Sequence, residues 1–174
     1  MALFGKRERP PAQVLALLDR DERVLSWANT STGSVVLATP RGLWWPSSDA
    51  QRLIGWQHVN KAIWQDNRLV VTEADLVDDL LLVDRAPVSA ELTTPRDLPP
   101  TVRKRVEANV VSSEIVDVPG GQARIVTRRV PGQDGVRWWA RLEAPTADTE
   151  AARAVIQNRI GALRADCEAT RALR

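Results

Sequence analysis

A chain of 174 residues, 44% hydrophobic and 26% charged, has the composition of an ordinary globular protein, long enough for one domain or two small units without a metal or disulfide staple. Its single cysteine, Cys167, excludes an internal disulfide and a cysteine-cluster metal site, and predicts a reducing, cytoplasmic setting. The net charge is only +2, so the pI near 9.2 reflects a small excess of arginine in a chain with one His and no Tyr, and by itself points to no nucleic acid.

Residues 1–11 read as a flexible arm, with Lys6, Arg7 and Arg9 ahead of Pro10-Pro11 and too short an apolar run for a signal peptide. Val14, Leu15, Leu17 and Leu18 predict a short helix. From Val24 the period becomes two. Val24–Ala28, Ser34–Thr39 and Leu43–Trp45 read as strands, separated by the turns Asn29–Gly33 and Pro40-Arg41-Gly42. Val59–Trp64 and Arg68–Thr72 read as a hairpin around Asp66-Asn67, two residues that tolerate left-handed backbone. Leu80–Asp84 and Val88–Leu92 complete a first half, residues 12–95.

Pro95, Pro99 and Pro100 mark the boundary to a second half, residues 96–174, which is expected to share one core with the first. A middle helix carries Val102, Val106 and Val110 at a spacing of four. Ser113–Val118, Gln122–Val130 and Val136–Ala144 read as a three-stranded meander with Gly-rich turns. Thr146–Arg174 reads as a long terminal helix, with Ile156, Ile160, Leu163 and Cys167 as its buried stripe. Clustered strands of this kind predict an α+β fold of antiparallel sheets.

The run Gly33–Pro46 followed by Ile54–Val71 resembles the core of bacterial pleckstrin-homology-like domains, over about residues 22–94. The resemblance implies a β barrel or sandwich and a non-catalytic adaptor that binds lipid headgroups, peptides or proteins. Phosphoinositide-binding versions use a basic loop between the first two strands; here Asn29–Gly33 holds no Lys or Arg. More broadly, Asp97–Val111, Arg124–Glu143 and the use of 21 Arg against three Lys resemble an uncharacterised actinobacterial family, which implies no assigned activity.

The candidate chemistry is sparse. His58 is the only imidazole, and a catalytic triad or metal site needs partners this chain does not supply in a recognisable pattern. Asp75, Asp78, Asp79 and Asp84 lack calcium-loop spacing and read as a solvated acidic turn. Arg103-Lys104-Arg105, Arg128-Arg129, Arg137 and Arg141 alternate with apolar residues and with Glu107, Glu114, Asp117 and Asp134, as on a solvent face, which argues against nucleic-acid binding.

The tryptophans carry more information. The adjacent pairs Trp44-Trp45 and Trp138-Trp139 must each split between two faces of a strand. One of each pair belongs to a core, and the other to solvent, a helix or a partner. The expected interaction surface is therefore Trp44, Trp45, Trp56, His58, Trp138 and Trp139. The expected protein is a non-catalytic module for protein or peptide interaction, or for self-association, with no cofactor. Peripheral membrane binding through the Met1–Arg9 arm is the alternative.

Overall fold

The computed structural model describes residues 8–48 and 50–172. The first unit begins with a one-turn helix, α1 (Ala12–Leu15), and a four-stranded antiparallel sheet in the order β1 (Ser26–Asn29), β2 (Val35–Ala38), β3 (Gly42–Pro46), β4 (Gln51–Gly55). β4 was not expected as a strand. Only Ile54 in it is fully buried, so its sequence lacks the clean alternation of a half-buried strand. Gly42 pairs with Gly55 where β3 and β4 meet, and a side chain on Gly42 would run into the Ile54 carbonyl.

A single 3₁₀ turn, Trp56–His58, leads into β5 (Val59–Gln65) and β6 (Arg68–Val77). Asp66 and Asn67 close this hairpin with φ of +50° and +59°, the left-handed conformation expected of them. β6 is twice the predicted length. Asp75 lies within it, and Asp78 and Asp79, both near φ +50°, form the next two-residue turn. The stretch read as one acidic turn is therefore a strand followed by a turn, because Ala74 and Leu76 find apolar cover on one face of the strand and Val77 on the other. β7 (Leu81–Asp84) and β8 (Val88–Glu91) then run back along β6, as one strand interrupted at Arg85–Pro87.

α2 (Leu98–Asn109) starts earlier than its valine repeat suggests, because Pro99 and Pro100 occupy the first turn, where no backbone donor is needed. It buries Leu98 and Val102 against Leu43, Ile54, Trp56, Leu69 and Val71. A four-stranded sheet, a second antiparallel sheet and a closing helix are consistent with a pleckstrin-homology-like sandwich. The helix assigned by sequence to the second half thus packs on the first.

β9 (Val110–Val118), β10 (Gly121–Arg128) and β11 (Arg137–Glu143) form the predicted meander. β11 joins β7 in parallel, with the Ala140 N–H donating to the Leu80 carbonyl at 2.8 Å. One seven-stranded sheet therefore spans both halves, in the order β5-β6-β7-β11-β10-β9, with β8 beside β6. α3 (Glu150–Ala172) covers one face of the meander. It buries Ala152, Ile156 and Ile160 on Ala123, Ile125 and Ala140. The opposite face carries Ala74, Leu82, Val126 and Trp139.

Candidate functional site

The expected tryptophan surface is not a surface. Trp45, Trp56 and Trp139 are 4%, 2% and 5% exposed. The two pairs do split across their strands as alternation requires. Trp45 enters the first core while Trp44 turns to α1 and its neighbours, beside Val14, Leu18 and Trp27. Trp139 faces the junction of the halves while Trp138 packs under α3, with the Arg164 guanidinium 5.9 Å from its ring. Each outward indole is thus partly covered by a helix and stays half-buried, while Trp45, Trp56 and Trp139 are withdrawn from any open binding face.

Two of these indoles, Trp44 and Trp56, use their N–H in a hydrogen bond. Trp56 Nε1–H donates to the Thr39 carbonyl at 2.9 Å. Trp44 Nε1–H and the Thr39 hydroxyl both donate to Glu22 Oε1, at 3.0 and 2.5 Å. The Glu22 side chain is only 1% exposed, and Arg41 lies 3.7 Å from it. Nothing in the sequence around Glu22 marks it as a buried anchor.

His58 is half-buried. Its Nδ1–H donates to the Ala74 carbonyl at 3.2 Å, and its ring stacks on Trp139 with centroids 6.3 Å apart, not on the neighbouring Trp56. It thus serves as a strut between the 3₁₀ turn and the second sheet. Three of the four acidic candidates are each engaged by a different arginine rather than gathered. Asp75 pairs with Arg85, Asp78 with Arg153, and Asp84 with Arg141 in a two-pronged contact of 2.9 and 2.7 Å. Among the described residues no group of three His, Cys, Asp or Glu has metal-binding geometry.

The basic residues are likewise dispersed. Arg103 pairs with Glu107 one helical turn on, and Arg141 is engaged by Asp84. Arg128 is 3% exposed. Its Nη1 donates to the Val59 carbonyl at 3.0 Å and to Asn109 Oδ1 at 3.4 Å, which ties β10 to β5 and to the end of α2. Burial, with Arg141 nearby, pulls its pKa down to about 10 against the pull of Asp84, and the guanidinium stays charged at neutral pH. Arg128 and Arg141 hold the halves together and Arg103 is paired within α2, while Arg105 and Arg129 line one shallow cavity.

The open feature lies elsewhere. β5 is an end strand of the seven-stranded sheet, and α2 runs beside it. Between them is a groove of about 660 Å³, lined by Ala62, Ile63 and Trp64 of β5, Leu69 of β6, and Pro99, Val102 and Val106 of α2. Trp64 lies opposite Leu69, and Ala62 opposite Val71, so these four share the face that looks toward α2. Ile63 and Trp64 are each 38% exposed, among the few large apolar residues left open. Lys61 is exposed at the rim, next to the Arg103–Glu107 pair.

Sequence reasoning missed Trp64 as a site residue. The available signal was an indole on the core-side parity of a strand, two positions before a tight turn, where the sandwich no longer covers it. The β1–β2 turn, which has none of the basic residues of a phosphoinositide-binding loop, is closed on itself, with the Ser34 N–H donating to Thr30 Oγ1 at 3.0 Å. The Met1–Arg9 arm lies mostly outside the described residues; Glu8 within it pairs with Arg96. Among the described residues no helix is long and apolar enough to cross a membrane. No protein-family model, no curated protein and no solved structure matches the chain.

Proposed function

We infer that this protein is a non-catalytic interaction module that receives an extended peptide segment of a partner protein as an added strand on β5. The observation that carries this reading is the coincidence, at one place, of a strand edge that no other described strand pairs, an apolar groove and an exposed indole. Backbone groups on the edge supply affinity without regard to sequence, and the groove supplies specificity through alternate side chains of the peptide. The segment this groove fits has apolar residues at alternate positions, one of them against Trp64, Val102 and Val106, and an acidic residue beside Lys61. Exposed aromatic residues next to a pocket are where binding energy concentrates. The resemblance to pleckstrin-homology-like adaptors supports the same class of function. A cytoplasmic setting belongs to this reading and is supported by the lone Cys167.

The test is a random-peptide display library panned on the full chain, followed by amide hydrogen exchange on the selected complex. The expected result is peptides with alternating apolar residues that slow exchange along β5 and lose at least about tenfold in affinity with Trp64→Ala, the size of one hot-spot contact. Failure to select peptides, or selected peptides that leave β5 exchange unchanged, overturns it. So does binding to anionic lipid vesicles that Trp64→Ala leaves intact while no peptide binds.

A further inference from the structure

The seven-stranded sheet has a second end, β9, whose chemistry differs from that of β5. Among the described strands β9 pairs with β10 alone. Its nine residues hold no Lys, Arg or Pro, the residues that commonly blunt an open edge. Val111 and Ile115 are 47% and 50% exposed. Ile115 lies opposite Arg124, whereas Glu114 lies opposite Ile125, which packs under α3; Ile115 therefore faces away from that helix. Both acids of β9 are already engaged within the chain. Glu114 accepts from Arg159 Nε and Nη2 at 2.6 and 2.9 Å, and Asp117 accepts from Gln122 Nε2 at 3.0 Å. The ladder is irregular only between Thr127 and Arg128, opposite Val110–Ser112, which leaves Ser112–Val118 as a regular open run.

We propose that β9 pairs antiparallel with β9 of a second copy of this chain, about a two-fold axis through Ile115. Residues directly opposite in a ladder share a face, so a two-fold axis normal to the sheet must pass through a residue. An axis at Glu114 sets that carboxylate against its own copy. An axis at Ser113 draws the irregular end into the ladder. An axis at Ile115 uses the whole regular run: Ser112 meets the partner's Val118, Ser113 meets the partner's Asp117, Glu114 meets the partner's Val116, and the two Ile115 side chains cover each other. No like charges face one another in this register. The joined sheet then runs from β5 of one copy to β5 of the other, which sets the two β5–α2 grooves at opposite ends and makes the dimer bivalent toward a repeated partner.

Sedimentation velocity from low micromolar to several hundred micromolar tests this pairing. The native chain is expected to shift from monomer to dimer with concentration. Ile115→Lys is expected to weaken association at least about tenfold, the scale of like charges forced together at an interface, with an unchanged melting temperature at concentrations where both chains are monomeric. In a Cys167→Ser background, Ile115→Cys is expected to form a disulfide-linked dimer on mild oxidation and Ser113→Cys is not. A native chain that stays monomeric throughout, a dimer that Ile115→Lys leaves intact, or cross-linking through Ser113→Cys in place of Ile115→Cys overturns the proposal. Peptide binding at β5 is untouched by Ile115→Lys, so this test and that of the groove fail independently.

Discussion

The two long helices cover their sheets to different degrees. α3 lays Ala152, Ile156 and Ile160 onto the meander at a spacing of four, with Val155 and Leu163 beside them, and seals that face. α2 buries Leu98 and Val102 near its start, but Val106, one turn later, is only half-buried and lines the groove. Its other positions, Arg103, Lys104, Arg105 and Glu107, are charged. The apolar stripe therefore runs out before the helix does, and β5 is left with an uncovered flank. A cap with a long stripe makes core; a cap with a short stripe leaves a place to bind.

The contrast can be broken most severely under α3. Ile156→Ala is expected to lower stability by about 2–5 kcal/mol, because the side chain is fully buried and its space cannot collapse freely; denaturant melts read this directly. Glu22 instead anchors the Trp44 indole against which α1 packs. Glu22→Ala is expected to cost about 1–3 kcal/mol by leaving the Trp44 indole N–H without an acceptor and the Thr39 hydroxyl with only its 3.4 Å contact to the Gly42 carbonyl, and near-ultraviolet circular dichroism should register the altered tryptophan.

On the open side the expectation reverses. Trp64→Ala should change stability by no more than about 0.5 kcal/mol, as exposed positions do, while peptide affinity falls; a stability loss like that of Ile156→Ala would mean the groove is core. The smallest effect concerns the Glu114–Arg159 pair, whose side chains are 33% and 42% exposed. The hydrogen bond from Arg159 holds the Glu114 carboxyl below its ordinary pKa. The pair therefore stabilises the fold above the usual glutamate range and loses that contribution as pH falls through the lower folded value. Arg159→Ala should cost a few tenths of a kcal/mol at neutral pH after screening, and nothing in acid, as pH-dependent melts of the two chains would report.

The sequence made local structure legible wherever alternation was clean. The Asp66-Asn67 hairpin, the meander and the α3 stripe follow from period and turn chemistry alone. β4 escaped because Gln51, Arg52 and Leu53 are all half-buried on an end strand. β6 was cut short because Asp75, Asp78 and Asp79 look alike in sequence, yet one is in a strand and two form a turn. Alternation required Trp44-Trp45 and Trp138-Trp139 to split, and they do. It could not say that α1 and α3 would cover the outward member of each pair. The partner of His58 was equally out of reach, since Trp139 arrives through the parallel β7–β11 joint, which no local pattern encodes. The groove depends on strand order, so the place of Trp64 beside the Asp66-Asn67 turn hints at its exposure without revealing the groove.

That parallel joint has a practical consequence for anyone dividing the chain. The proline-rich stretch at 93–101 looks like a place to cut, and a fragment ending at Asn109 would keep the first sheet and its closing helix. It would also strip β11 from β7 and bare Leu82 and Ala74, which Trp139 and Val126 now cover. The result is a naked strand edge backed by apolar side chains, the usual template for aggregation. One continuous sheet joins the two halves, so expression of the full chain is the sound starting point.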